Sequence, residues 1–513
     1  MIRFGHSGPL SILPGRRFAL LALVCLGLLT TAAAWAQDPA AVRLLREAER
    51  LVEGGDPGSA LEELELLIQQ FPRDPLAPRA LLRMAELQIG RSDRAAAETT
   101  LERLLAEHAR SAEAATAMTR KAELAVLDAT SSAELEEART TFRRVPLLYG
   151  RDAFPALQAR RHARMASGEL SLLLGEAAAA AADFVAAIED EPPSAALGRA
   201  QLGLARAWIL TGDLEAAAEV LERLAAADEA TAEAAVRARA RVELGLLHRR
   251  LLRPRLGLGH FLSSGRLAAP GLALREPAGV AAAGDGRIVV VDPRLESVVL
   301  LEKDGSVLTK QSLRGAHRPG WRDGAEPFVT TDAGLAMPFG GAPLTFNDPR
   351  RNAPLKNLVA AAAGTFGDYF VVARGSKGLL HLRDAGGGRE LLAEQRGEIV
   401  DVARGPQGSI YALDGRGGAV LRLDRDGHTQ GVVVRGNWKR ASALDVDRLG
   451  FLYVLDRGNR RVELYGADGT RLAALGPSLG GGVELRAPVD LAVDGSGRVF
   501  VADEKLPFLV ILD

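Results

Sequence analysis

The stretch LDVDRLGFLYVLDRGNRRVELYGADG, residues 444–469, decides the fold of the C-terminal half of this 513-residue chain. Short runs of β-branched and aromatic residues alternate here with turns, and each run is too short for an ordinary helix. Asp456 closes the second run, Asn459 lies in the turn after it, and Arg461 opens the third run. The dipeptide Asp468-Gly469 is a strong hairpin signal. The stretch therefore predicts antiparallel strands joined by tight turns.

Runs of the same kind recur through residues 277–513. A glycine turn precedes each run, and these glycines recur at intervals of 33 to 48 residues, at Gly286, Gly334, Gly367, Gly408, Gly450 and Gly497. A period of this length with several strands per unit is typical of β-propeller blades. We therefore predict an all-β six-bladed propeller over residues 277–513. The proline-rich stretch 337–354 is expected either to distort the blade at Gly334 or to form an insertion in it.

The blade around residue 453 resembles an NHL repeat, with an aspartate closing the second strand, an asparagine in the turn and an arginine before the third strand. The blades at Asp292, Asp414 and Asp503 keep only the aspartate, so the resemblance is specific in one blade and loose in the others. We interpret Asp456, Asn459 and Arg461 as a structural turn clasp, because buried polar groups need partners and these three can supply one another.

The last blade has only three strand-like runs before residue 513. Because an open sheet edge invites pairing with other chains, a propeller needs its ring closed. Residues 254–276 are expected to be a linker, within which Arg266 to Leu274 supplies the missing outer strand.

Residues 37–253 have a different texture, rich in Ala, Leu, Glu and Arg, which favours helix. Breaks such as Gly54-Gly55-Asp56-Pro57 and Gly212-Asp213 are followed by apolar residues spaced three and four apart. The breaks recur roughly every 34–40 residues, as in helix-pair solenoids. The pattern predicts an α-helical repeat domain ahead of the propeller, and thus a multi-domain α and β protein.

This region resembles the tetratricopeptide repeat family, with the best frame at Ala205, Trp208, Gly212, Asp213, Ala217 and Leu221. The stretch Phe71 to Ala77 is similar to the inter-repeat joint of envelope-assembly proteins of that family. The resemblance implies that the first helix of each pair lines a concave groove that binds a peptide or a partner's helix. Carried over position by position, the lining is Glu49, Arg79, Glu86, His162, Glu169, Arg199 and Arg206. The alternative is that these are ordinary solvent-facing residues.

A last helix is expected from Glu229 to Leu252. We interpret it as a solvated cap that ends the solenoid, because it carries the five arginines Arg237, Arg239, Arg241, Arg249 and Arg250.

Residues 1–36 have the order of a secretory signal: Arg16-Arg17, an apolar run from Phe18 to Leu29, then Ala34-Trp35-Ala36. We expect cleavage after Ala36, a periplasmic or secreted protein, and no membrane span after cleavage. The alternatives are an uncleaved anchor helix from Phe18 to Ala36 and a lipoprotein modified at Cys25.

Composition excludes several other classes of function. The 64 basic and 65 acidic residues give a net charge of −1, which provides no field to attract nucleic acid. The single cysteine cannot form a disulfide framework or a thiolate metal site. We expect no cofactor and no metal.

Two short motifs resemble parts of a catalytic site or a metal site. Residues 476–480 carry the letters of a nucleophile elbow but lie in a loop between blades, and residues 424–427 suggest a calcium loop but fit a hairpin turn better. We predict a non-enzymatic interaction scaffold of the bacterial cell envelope with protein or peptide partners. The alternative is a propeller enzyme of the lactonase or lyase type with a metal in its central channel, for which the candidates are Asp401, Asp445, Asp490 and Asn357.

Overall fold

The computed structural model describes residues 37–513 except 151–153, 191–194, 230–231, 257–258, 262, 269–272, 323, 349–352, 376–377, 384–387 and 392–396. The expected signal peptide lies outside the described residues. Within them, no helix combines the length and the apolar character needed to cross a bilayer.

Eleven α-helices follow one another in the described residues before 248. They are α1 Pro39–Glu53, α2 Pro57–Gln70, α3 Ala77–Gly90, α4 Arg94–Glu107, α5 Ala112–Asp128, α6 Ser132–Leu148, α7 Phe154–Leu173, α8 Ala177–Asp190, α9 Ala195–Thr211, α10 Leu214–Ala226 and α11 Ala234–Leu247. A π-helical turn, His248–Leu252, and a short turn, Arg253–Arg255, continue α11.

The Gly-Asp breaks act as helix caps. Gly55 and Gly212 have φ values of +80° and +88°, a left-handed conformation that glycine adopts without a steric penalty. The carboxylates of Asp56 and Asp213 then accept hydrogen bonds from the backbone N–H groups of Ser59 and Ala216 in the next helix. Each break therefore stops one helix and starts the next.

The chain divides into two compact units. Unit 1 comprises residues up to Leu127 together with Arg144–Arg160, and unit 2 comprises Asp128–Arg143 and Arg161–Asp513. The core of unit 1 consists of leucines, alanines, Ile68 and Met84, almost all from α1 to α5, at positions that the helical spacing marks as apolar.

The propeller in unit 2 has six blades in its described residues. Blade 1 is β2 Gly279–Ala282, β3 Ile288–Asp292, β4 Ser297–Leu301 and β5 Val307–Ser312; blade 2 is β6 Ala316–Arg322, β7 Glu326–Thr331 and β8 Gly334–Ala336; blade 3 is β9 Leu358–Ala363, β10 Asp368–Ala373, β11 Leu379–Arg383 and β12 Gly388–Leu391. Blade 4 is β13 Ile399–Arg404, β14 Ile410–Asp414, β15 Ala419–Leu423 and β16 Thr429–Arg435; blade 5 is β17 Ala441–Val446, β18 Leu452–Asp456, β19 Arg461–Tyr465 and β20 Arg471–Leu475. Blade 6 contains β23 Pro488–Val493, β24 Val499–Asp503 and β25 Leu509–Leu512, and a two-stranded ribbon of β21 Ser478–Gly480 and β22 Val483–Glu484 precedes it.

The first strands of the blades form a closed ring, in which β2, β6, β9, β13, β17 and β23 each contact the next and β23 contacts β2. The fourth strand of blade 6 is β1 Ser264–Leu267, which pairs antiparallel with β25. The expected strand, Arg266 to Leu274, differs from the observed one, which begins two residues earlier and ends at Leu267. Blade 6 thus joins strands from the two ends of the propeller.

The prediction that a glycine turn precedes the corresponding strand of each blade was wrong for one of the six glycines. Gly286, Gly367, Gly408, Gly450 and Gly497 precede the second strand of their blades, whereas Gly334 opens the third strand of blade 2. The turn before the second strand of that blade is at residues 324–325. Blade 2 has three described strands, and the proline-rich stretch that was expected to distort it follows β8.

The last helices pack directly on the propeller within unit 2. One hydrophobic core runs from Leu202 and Leu224 in α9 and α10, through Leu246 in α11, to Tyr453 and Leu485 at blades 5 and 6. The interpretation of the last helix as a solvated cap was wrong for Arg250, which is completely buried at this junction. Sequence periodicity could not show this, because two of the partners of Arg250, Tyr453 and Gly497, lie more than 200 residues away.

Candidate binding surfaces and the propeller channel

Three of the predicted groove residues lie together in unit 1. Glu49 of α1 and Arg79 and Glu86 of α3 line a cavity of about 400 Å³ with Glu53, Leu82 and Arg83. Arg79 donates to Glu49 across the two helices at 2.8 Å. Both walls come from the first helix of a pair, as the family resemblance implies. The cavity presents alternating charges around one leucine, which suits an amphipathic or polar peptide.

The other four predicted groove residues lie in unit 2. Burial raises the pKa of the Glu169 carboxyl, and electrostatic interactions with His162, Arg199 and Arg206 oppose that rise. Arg206 is held by the buried Glu243 at 2.8 Å, and Arg199 lies 3.1 Å from Glu233. These contacts tie the cluster into the helical framework, and its role in binding stays a prediction.

The aspartate that closes the second strand has the same structural role in four blades. Asp456 is completely buried and accepts from the backbone N–H groups of Lys439 and Arg440, which enter the blade, and from Asn459 in the turn. Burial alone would raise the pKa of Asp456, but these hydrogen bonds hold it below its ordinary value. Arg461 lies 3.9 Å from the Asp456 carboxylate and contacts Glu463 more closely. Equivalent bonds are made by Asp292, Asp414 and Asp503.

Three of the four channel candidates meet at the centre of the propeller. Asp401, Asp445 and Asp490 lie on the innermost strands of blades 4, 5 and 6 and line a cavity of about 250 Å³. Each carboxylate accepts a hydrogen bond from a backbone N–H group of the next blade: Asp401 from Leu444 at 2.7 Å, Asp445 from Val493 at 2.7 Å, and Asp490 from Val280 at 2.9 Å. The three aspartates therefore join four successive blades.

Asn357, the fourth candidate, is not among the residues that line this cavity. It precedes β9 with φ +55°, and its backbone groups bond to Asp332 and Arg374. Its position makes it a turn residue, and its proposed place in a channel site was wrong.

Arg318, which was not among the residues predicted from the sequence, completes the channel. It projects from β6 of blade 2 and lies 2.7 Å from Asp401 and 3.6 Å from Asp490. It also donates to the carbonyl oxygen of Ser442 in blade 5 at 2.5 Å. The available signal was an arginine inside a strand that a propeller places innermost.

The channel cavity brings three carboxylates together with two guanidinium groups, those of Arg318 and Arg404. Burial raises the pKa of Asp445 and of Asp490 to about 7, and it raises the pKa of Asp401 as well. Burial also acts to lower the pKa of Arg318, but Asp401 and Asp490 outweigh it and the pKa of the guanidinium is raised. Arg318 is therefore a permanent cation among carboxylates that share the remaining protons near neutral pH.

This arrangement does not fit the metal that the enzyme alternative requires. A divalent cation needs carboxylate oxygens that are open to it. Here Asp401 and Asp490 already contact a guanidinium, and each of the three aspartates already accepts a backbone hydrogen bond. A cation bound among them would also lie close to the positive charge of Arg318.

The two short motifs lie in a hairpin turn and at a β-ribbon. Asp424 accepts from the backbone N–H groups of Asp426 and His428, which closes the hairpin between β15 and β16. Ligand atoms of these three residues lie within 4.8 Å of one another, but their mutual hydrogen bonds account for that proximity. Residues 476–480 include β21, the first strand of the ribbon β21–β22, and do not connect a strand to a helix, so a nucleophile elbow is excluded here.

The fold and its surfaces define a helical-repeat protein with a β-propeller. Residues 51–121 match the tetratricopeptide repeat family. The chain thus combines a tetratricopeptide repeat region with a six-bladed β-propeller. No curated protein matches the sequence.

Solved structures with similar folds cover the two regions separately. They include virginiamycin B lyase from Staphylococcus aureus, with 13% identity and a TM-score of 0.37 over 49% of this chain and 98% of the lyase. Regucalcin from Agrobacterium tumefaciens, described as a calcium-binding protein, has 14% identity and a TM-score of 0.36 over 48% of this chain and 92% of its own. A tetratricopeptide repeat protein from Parabacteroides merdae has 18% identity and a TM-score of 0.31 over 43% of this chain and 77% of its own.

Proposed function

We propose that this chain is a non-enzymatic scaffold of the bacterial cell envelope, exported by the signal at residues 1–36, that binds protein or peptide partners through its helical groove and its propeller face. The groove of α1 and α3 carries the proposal. It is a preformed concavity of about 400 Å³ with charges of both signs around Leu82, the composition that recognises a peptide or a partner's helix.

The enzyme alternative lacks comparable support. Its three channel aspartates are present, but Arg318 and backbone N–H groups already use them. The network joins the blades to one another, which is a structural role. Metal analysis of the purified protein separates the two proposals. A stoichiometric calcium or zinc ion that is present in the unaltered protein and lost in Asp445→Asn would favour the enzyme.

The groove is tested by exchanging the charges of one ion pair. Arg79→Glu reverses the charge of one wall. The double variant Glu49→Arg/Arg79→Glu restores the ion pair within the protein, but a partner meets the two charges in exchanged positions. A photo-crosslinking amino acid at Leu82, in cells of the organism that encodes the chain, should capture the same partner reproducibly. Both charge variants should abolish that capture.

The control is the same crosslinker at Glu98, which is exposed on α4 and outside the groove residues. Equal capture from Glu98, or capture that persists in the exchanged variant, would show that the groove does not select the partner. Export has its own test. The protein recovered from the envelope should begin at Gln37, and a chain retaining residues 1–36 would contradict cleavage after Ala36.

A further inference from the structure

A second groove lies in unit 2, on the last helix pair. Leu214 and Ala218 of α10 face Leu247, Leu251 and Leu252 of α11 and its π turn, around a cavity of about 260 Å³. We call this the terminal groove. It shares no residue with the α1–α3 groove on which the proposed function depends.

The floor of the terminal groove is apolar and firmly supported. Leu247 is buried, and Leu214 and Leu251 are only partly buried although both pack on the core that α9 to α11 share with blades 5 and 6. Since that core continues into the propeller sheets, the groove is preformed and needs no ordering when a ligand binds. Leucine side chains left partly open to solvent in a concave site favour an apolar ligand.

One wall of the terminal groove is acidic. Glu215, Glu219 and Glu222 follow one another on α10 at spacings of four and three, so they form one stripe beside the apolar floor. All three are exposed to solvent. Arg255 lies 3.8 Å from Glu215, and His248 lies 3.6 Å from Glu222. With three carboxylates and one arginine in its lining, the groove has a net negative charge.

We propose that the terminal groove binds an amphipathic helix of a partner protein, with leucine-sized residues at i and i+4 on its apolar face and lysines or arginines along one flank. Both walls of the groove are helices, and a third helix packs its ridges into such a groove. The apolar floor matches the leucine face, and the acidic stripe matches the basic flank. The complementarity of charge selects a basic segment over an acidic one.

The experiment uses a designed, fluorescently labelled helical peptide with leucines at i and i+4 and lysines on one flank, titrated against the full chain in an anisotropy assay. Glu215→Lys/Glu219→Lys/Glu222→Lys should weaken binding by at least about tenfold, because attraction becomes repulsion. Binding should also weaken as salt rises from about 0.1 M to about 1 M, over which the Debye length falls from about 10 Å to about 3 Å.

Three controls distinguish binding at the terminal groove from a general effect of charge and from binding at the α1–α3 groove. Glu62→Lys/Glu98→Lys/Glu137→Lys makes the same change in net charge at exposed residues outside the terminal groove and should leave binding unchanged. A peptide with glutamates in place of the lysines should not bind. Arg79→Glu, which tests the α1–α3 groove, should leave peptide binding unchanged, so the two proposals fail independently.

Two outcomes would overturn the proposal. One is the absence of measurable binding of the lysine peptide to the unaltered chain. The other is binding that both triple variants weaken equally, which would reflect the overall charge of the protein and not this groove. The three substituted glutamates are exposed, so circular dichroism of the variant should match that of the unaltered chain.

Discussion

The guanidinium of Arg250 donates a hydrogen bond to the phenolic oxygen of Tyr453 at 2.9 Å, which joins the last helix of the repeat region to blade 5. Arg250 also donates to the carbonyl oxygen of Gly497 at 2.6 Å and lies over the ring of Phe261. Tyr453 in turn donates to Asp447 at 2.9 Å. The last helix is therefore part of the structural core of the propeller unit.

We expect Arg250→Met to destabilise unit 2 by about 3–5 kcal/mol, because it leaves Asp447 and two carbonyl groups buried without their positive partner. Chemical denaturation followed by tryptophan fluorescence measures the change in the free energy of unfolding. Arg241→Met, at an exposed position of α11, is the matched control and should change it by less than about 0.5 kcal/mol. Equal effects would contradict a role for the junction.

The channel aspartates predict how stability depends on pH. Because the pKa of Asp445 and of Asp490 is raised to about 7 in the folded protein, the folded state binds more protons than the unfolded state between about pH 4 and pH 7. Their contribution to stability is complete below the unfolded pKa and is lost as the pH rises through 7. The free energy of unfolding should fall by on the order of 2 kcal/mol per group from pH 5 to pH 8.

Asp445→Asn should flatten that dependence, because the amide cannot titrate. Denaturation curves at several pH values measure it, and Glu62→Gln at an exposed site should leave the slope unchanged. A protein that becomes more stable from pH 5 to pH 8 would show that the channel carboxylates are ionised throughout this range.

The aspartate clasp predicts a graded series of stabilities. Asp456→Ala removes the acceptor of the N–H groups of Lys439, Arg440 and Asn459 in a buried turn and should destabilise the propeller by about 2–4 kcal/mol. Asn459→Ala removes one side-chain donor and should have an effect of about 1 kcal/mol. Asp468→Ala, in an outer hairpin, should have the smallest effect. Thermal unfolding of the three variants checks the order.

Gly203 is expected to be intolerant of any side chain. A Cβ atom there would lie 2.4 Å from the ring of Phe184 on the neighbouring helix, so Gly203→Ala should destabilise unit 2 by about 1–3 kcal/mol. The double variant with Phe184→Leu should recover part of the loss. Gly245→Ala is the control, because nothing lies within 4 Å of its added Cβ atom and alanine favours helix. A neutral Gly203→Ala variant would contradict close packing at this position.

The groove residues show how far family resemblance extends. The family resemblance predicted a groove that contains Glu49, Arg79 and Glu86, and in the structure these residues line one cavity. The resemblance could do so because a helix pair fixes which face its first helix presents. It could not assign a partner to Arg206, since the buried Glu243 that binds it lies 37 residues ahead on another helix. Nor could it find the terminal groove, which depends on how α11 and its π turn lie against α10.

The sequence by itself determined the helix-pair repeat, the blade repeat, the helix caps at Asp56 and Asp213, and the repeated aspartate that ends the second strand of a blade. Each of these features depends on residues near one another in the chain. Only the tertiary structure decided that Arg318 crosses the channel to Asp401, that Arg250 is buried against Tyr453, and that β1 closes the last blade. Those contacts join residues from 83 to 248 positions apart. A local pattern carries no information about which distant charges meet, since ring closure and the packing of helices on blades bring them together.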